Sequence, residues 1–173
     1  MKTVAAGRHR GRLLLLVLAV LAVVGFVGTL AANRSTVGSG EAFTGERLRV
    51  QQDYSDYWKA MLVANESGDG SALADHAAGE QLEILHANLS ALTGAGLVAK
   101  GSVDHRIRSI TVDGKLATLV DCIDVSQWIQ YQARSGRVQP GQLTDRPKQL
   151  ASYTFAPRDG RWLVTRSEVL SEC

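Results

Sequence analysis

Residues 13–32, LLLLVLAVLAVVGFVGTLAA, run for twenty positions without a charged side chain, directly after Lys2, Arg8, Arg10 and Arg12. As a helix rising about 1.5 Å per residue, this stretch reaches about 30 Å, the thickness of a bilayer's hydrocarbon core. A helix suits that setting because its backbone satisfies its own hydrogen bonds. The four cations before the run, against Arg34 alone beyond it, predict a cytoplasmic head over 1–12 and an outside position for everything after the span. A cleavable signal peptide is the competing reading, and Thr29, Ala31 and Ala32 are small enough to permit cleavage. The run is longer than the apolar part of most cleaved signals, so an uncleaved anchor in the cell membrane is the expectation. A freely secreted protein is the alternative.

The overall charge of +2 hides a division. Five of the nineteen basic residues precede Ser35 and all seventeen acids follow it, so the remainder carries a net −3. A mildly acidic domain offers no electrostatic footprint for nucleic acid. Residues 33–46 are rich in Ser, Thr and Gly and read as a flexible linker. Residues 47–173 are long enough for one domain with its own core. The abundance of Ala, Gly, Val and Leu, with Arg outnumbering Lys, gives the chain a bacterial, actinobacteria-like composition, in which the sequons at Asn33, Asn65 and Asn88 are incidental.

Val50, Tyr54, Tyr57, Trp58, Met61 and Leu62 recur at helical spacing and predict a first helix from Glu46 to about Glu66, stopped by Ser67-Gly68-Asp69-Gly70. A second, short helix is expected from Ala72. A third runs from Glu80 with Leu82, Leu85, Leu89 and Leu92 inward, and Gly94 and Gly96 end it. The period then changes to two, with Val103, His105 and Ile107 alternating with charged residues up to the hairpin signal Asp113-Gly114. One long return strand, Lys115 to about Gln132, and a closing hairpin around Pro157-Arg158-Asp159-Gly160 complete the layout. The expected fold class is α+β: three N-terminal helices packed on a curved, mainly antiparallel sheet of about four strands, preceded by one transmembrane helix.

The paired aromatics of the first helix (Tyr54, Tyr57, Trp58), the Gly68-Asp69-Gly70 break and the closing phrase Asp159-Gly160-Arg161-Trp162-Leu163-Val164 resemble the nuclear-transport-factor-2-like superfamily. That superfamily contains ketosteroid isomerases and SnoaL-type polyketide cyclases. The resemblance covers about Arg47 to Val169 and implies a cone-shaped domain. With an anchor in front, the chain is similar to single-pass actinobacterial proteins associated with mammalian-cell-entry lipid-import systems, and in layout to bitopic scaffold subunits of type IV secretion machines.

Outside the membrane, two cysteines in an oxidising compartment predict a Cys122–Cys173 disulfide. Isomerases of the superfamily use a carboxylate base and an oxyanion hole built from a tyrosine and a protonated aspartic acid. Tyr57 with Asp104, Asp121 or Asp124 could supply those groups, but their positions do not match the motif and no catalytic role is carried over. The histidines lack metal-ligand spacing, and Gly94-Ala95-Gly96 lacks the third glycine of a dinucleotide fingerprint. No metal or cofactor is expected. Tyr57, Trp58, Trp128, Tyr131, Tyr153 and Trp162 are the candidates for a pocket or interface. The functional expectation is a non-enzymatic, membrane-anchored interaction or scaffold domain of a cell-envelope assembly, associated with lipid import or secretion. Its partners would be other envelope proteins or a second copy. A small apolar-ligand-binding or isomerase-like domain is the alternative.

Overall fold

A computed structural model describes residues 43–142 and 147–173; the expected anchor at 13–32, the basic head and most of the linker lie outside the described residues. Among the described residues, no helix is long and apolar enough to cross a membrane. The order is α1 (Glu46–Ser67), a 3-10 turn (Ser71–Asp75), α2 (Gly79–Gly94), then β1 (Leu97–Gly101), β2 (Asp104–Asp113), β3 (Leu116–Asp124), β4 (Trp128–Gln132), β5 (Lys148–Arg158) and β6 (Arg161–Glu172).

Helix α1 buries the stripe Val50, Tyr54, Tyr57, Trp58, Met61 and Ala64. It stops where Gly68 takes a left-handed conformation at φ 81° and its N–H donates to the Ala64 carbonyl at 2.8 Å. The expected second helix is a correction: it is a single 3-10 turn in which Leu73 alone is buried. The Asp69 carboxylate accepts from the Ser71 N–H at 2.9 Å and tightens the entry. The backbone beyond the turn is committed elsewhere, since the Ala78 N–H donates to Val164 O and the Val164 N–H donates to His76 O. That bridge covers part of the free edge of β6, and a helix continued through 76–78 would forfeit it. Two α-helices, not three, therefore pack on the sheet.

The main sheet is antiparallel with the order β2-β3-β5-β6. Its first hairpin turns at Gly114-Lys115, one position beyond the expected Asp113-Gly114, because Asp113 still pairs with Leu116; the second turns at Asp159-Gly160, where both residues have positive φ (51° and 79°), as this tight two-residue turn requires. The long return strand is also corrected. Asp124 accepts from the Ser126 N–H at 3.0 Å and Trp128 N–H donates to Val125 O, so the chain turns out of the sheet. The continuation, β4, instead pairs with β1 in a separate two-stranded ribbon. At Gly101 the backbone lies against the Gln127 carbonyl, in the space a Cβ would occupy.

Residues directly opposite one another share a face of the sheet. The ladder from Ala117↔Phe155 through Leu119↔Tyr153 to Asp121↔Ala151 therefore sets one row of side chains against α1. Tyr54, Phe155, Leu119, Val50 and Val164 are at most 2% exposed and form the centre of the core.

Candidate functional site

The inner face of the sheet carries one fully buried carboxylate. Asp121 sits in β3 between Leu119 and Ile123 in the inward alternation, and it is 0% exposed. The Tyr54 hydroxyl, reaching down from α1, donates to Asp121 Oδ2 at 2.9 Å. His105 Nδ1 lies 2.6 Å from the same oxygen. Because a carboxylate oxygen accepts, the Nδ1–H of His105 donates, and the other ring nitrogen is left for a second partner. His105 reaches Asp121 diagonally across the β2–β3 ladder, where its direct partner is Ile123 and that of Asp121 is Ile107. The second carboxylate oxygen, Oδ1, has no hydrogen-bond partner, nor do the buried indole nitrogens of Trp58 and Trp128.

Aromatic rings enclose this cluster. The Tyr54 ring lies 4.8 Å from Tyr153 and 5.5 Å from His105, and Trp58 stands edge-on to His105 at 5.0 Å and to Trp128 at 6.5 Å. Burial, followed by Tyr153 and Asp121 beside it, pushes the Tyr54 phenol far above the ordinary tyrosine range. Burial raises Tyr57 as well, offset in part by a hydrogen bond with Gln81, and it also dominates the upward shift of Tyr153. All three phenols are held neutral as donors and acceptors rather than as acids. A second buried chain of bonds ties the layers together: Gln81 Nε2 donates to the Tyr57 hydroxyl at 2.8 Å and Ser167 Oγ donates to Gln81 Oε1 at 2.9 Å.

The six aromatic candidates separate into two groups. Tyr57, Trp58, Tyr153 and Trp162 are buried, so they form the core itself. Trp162 is held by Glu46 and Asp53 of α1, through its indole N–H at 3.1 Å and its backbone N–H at 2.7 Å. Trp128 and Tyr131 are half-buried on β4. Asp104 and Asp124 are not bonded to the Asp121 cluster but line the cleft that His105 borders; Asp124 caps its turn and faces Lys148 at 3.6 Å. The expected disulfide is present between Cys122 and Cys173, with the Cα atoms 6.0 Å apart. Among the described residues no group of three or more His, Cys, Asp or Glu side chains converges as a metal site.

Sequence reasoning missed the grouping of Tyr54, His105 and Asp121. A signal was present: His105 shares the inward parity of Val103 and Ile107, and Asp121 that of Leu119 and Ile123, so each polar side chain had to find a partner inside. Chemically, a carboxylate that fixes a histidine through Nδ1 can orient the imidazole for proton transfer at its other nitrogen. Two clefts open to solvent lie at the periphery. One, of about 460 Å³, is bordered by Glu66, Lys100 and Tyr131. The other, of about 310 Å³, is bordered by Asp104, His105, Arg106, Asp124, Lys148 and the disulfide.

No protein-family model matches the chain, and no curated protein matches it. Solved structures do. The intermembrane-space region of the chloroplast protein ARC6 is 18% identical with a TM-score of 0.56, over 75% of this chain and 99% of that one. An NTF-2-like protein of unknown function from Shewanella oneidensis is 15% identical with a TM-score of 0.43, over 69% and 97%. A protein of unknown function from Mycobacterium tuberculosis is 14% identical with a TM-score of 0.47, over 73% and 72%. At 18% identity the likeness to the ARC6 region is one of fold alone. The fold is two helices packed on an antiparallel sheet.

Proposed function

We propose that this chain is a membrane-anchored, extracytoplasmic interaction domain of a cell-envelope assembly and that it works through its outer surface. The observation that carries this reading is the occupation of the space between α1 and the sheet by Tyr54, Tyr57, Trp58, Tyr153 and Phe155, the position where a ligand-binding cone would keep its cavity. The disulfide supports an oxidising compartment, and the apolar run at 13–32 supports an anchor. The test is chemical cross-linking of the full chain in intact cells, followed by mass spectrometry of its adducts. A discrete adduct with one envelope protein or with a second copy is expected; a chain that stays monomeric and unlinked would overturn the reading.

One observation favours a second reading, an isomerase-like proton-transfer site: the buried Asp121 with its unpartnered Oδ1, held by Tyr54 and His105. Such a site would catalyse the shift of a double bond next to a ketone, with His105 or Asp121 carrying the proton. Incubation with 5-androstene-3,17-dione, followed at the absorbance of the conjugated product, decides it. Turnover lost in Asp121→Asn would establish this reading, and no turnover by the unaltered chain would eliminate it.

A further inference from the structure

The face of the main sheet turned away from α1 is open to solvent: Thr118, Arg166 and Glu168 are exposed on it, and Val120, Ser152 and Thr154 are half-buried. Directly opposed residues form rows across the strands. One row runs from Val120 through Ser152 to Glu168, and the next from Thr118 through Thr154 to Arg166. On β2, Arg106 lies one row before these two and Asp113 one row after them, and both are exposed.

This order of charges is complementary to its own reverse. A two-fold axis lying between two such faces, across the strands and between the two central rows, lays the rows of one copy over those of the other in reverse order. Arg166 then meets Glu168 of the other copy, and Arg106 meets its Asp113. A contact of this isologous kind makes every pair twice, so two ion pairs form along β6 and two along β2. Between them Thr118 comes over Val120 and Ser152 over Thr154, small side chains that let the faces approach. Leu116, 56% exposed at the end of β3, comes over the Cys122–Cys173 disulfide of the other copy. Moving the axis onto either central row would set Arg166 on Arg166 or Glu168 on Glu168, so the charges also fix the register.

The other charges of this side are compatible with that arrangement. Arg108, at the β2 register shift between Ile107 and Ser109, stands across from the Thr111–Asp113 stretch of the other copy. Asp104, Asp124 and Lys148 lie in the row beyond Arg106, where Lys148 already faces Asp124 at 3.6 Å and the twist of the two sheets carries them apart. Glu172 is opposite Gln149, on the inner parity, and takes no part. The edge of β2 is the poorer place for a second copy, because a bulge and the cations Arg106 and Arg108 blunt it.

We propose that the outer face of the main sheet is a homodimer interface in which Arg106 and Arg166 of each copy pair with Asp113 and Glu168 of the other. The proposal rests on the interaction-domain reading and names the partner as a second copy of this chain. Four strands about 4.8 Å apart and four rows about 6.8 Å apart give a footprint of about 500 Å² per copy, or about 1,000 Å² in all. That is the low end for specific association, so the dimer dissociates in the micromolar range, and its exposed ion pairs make it sensitive to salt.

The test is sedimentation of the detergent-solubilised full chain between about 1 and 100 µM. A monomer–dimer equilibrium is expected. Arg166→Glu alone or Glu168→Arg alone sets like charges together at two places and is expected to weaken association at least about tenfold. An equimolar mixture of the two variants restores opposite charges at both places, and its heterodimer is expected within about threefold of the unaltered affinity. Both side chains are exposed, and a folding defect would not be repaired by mixing. A monomer at the highest concentration, a dimer indifferent to either reversal, or a mixture that associates no better than its components would each overturn the proposal. If the chain stays monomeric here yet forms a discrete adduct with another envelope protein in cells, this proposal falls and the interaction-domain reading stands.

Discussion

The inner face of the sheet and the outer half of β6 belong to one antiparallel ladder but are secured by opposite means. Beneath α1, large rings fill the space and several of the polar groups that enter are drawn into bonds: Tyr54 and His105 to Asp121, and Gln81 to Tyr57 and Ser167. Along the end of β6 almost nothing is buried, Val169 and Leu170 are about half exposed, and a covalent bond replaces packing. Packing confers stability that grows with the surface removed from water. A disulfide acts largely by restricting the unfolded chain.

The largest effect is expected from Phe155→Ala, which empties the centre of the inner face and should cost roughly 3–5 kcal/mol in urea unfolding. A cost below about 1 kcal/mol would show that the interior is looser than described. Removing the disulfide with Cys173→Ser opens a loop between cysteines 51 positions apart and should cost about 4 kcal/mol in the chain-entropy model. The contrast lies in where the loss shows: the Phe155 variant should weaken protection throughout α1 and β3, and the Cys173 variant should loosen 165–172 first.

Tyr54→Phe deletes one charge-assisted bond to Asp121 without opening a cavity, and about 1.5–3 kcal/mol is expected. Alkaline pH probes the same face more gently. The folded-state pKa values of Tyr54, Tyr57 and Tyr153 are raised, so the folded state keeps protons that the unfolded state releases. Their contribution is fully present below the unfolded tyrosine value near 10 and is lost as pH rises beyond it. Urea midpoints should therefore fall between pH 9 and pH 11 by more in the unaltered chain than in Tyr54→Phe. The smallest effect is assigned to Val169→Thr, within about 0.5 kcal/mol, because the side chain is already in water.

The helical stripe from Val50 to Met61 was legible because its spacing has one interpretation, and so were the Cys122–Cys173 pairing and, to within one residue, the hairpin turn, which falls at Gly114-Lys115 rather than Asp113-Gly114. The second helix was misjudged because its residues suit a helix locally, while the bond that stops it comes from Val164, far along the chain. The break after Asp124 was missed for a related reason. An aspartate accepting from the N–H two positions on looks, in sequence, like any polar residue within an alternating strand. β1 went unrecognised because five residues ending at Gly101 gain strand character only by pairing with β4. The Asp121 cluster was half visible, since parity placed His105 and Asp121 inward, but the Tyr54 hydroxyl becomes its third member only when α1 lies across β3.

The central claim is that the interior is closed to ligands and that the domain acts through its outside. Trp58 and Trp128 report on it directly, because their buried indole N–H groups have no partner and any guest entering the cone would meet them. The measurement is a titration of the detergent-solubilised, nitrogen-15-labelled full chain with a phenolic steroid, following the indole N–H resonances of Trp58 and Trp128 against Trp162, whose N–H is already bonded to Glu46. The account predicts that all three stay in place. Saturable shifts of the Trp58 and Trp128 resonances, with Trp162 unmoved, would contradict it.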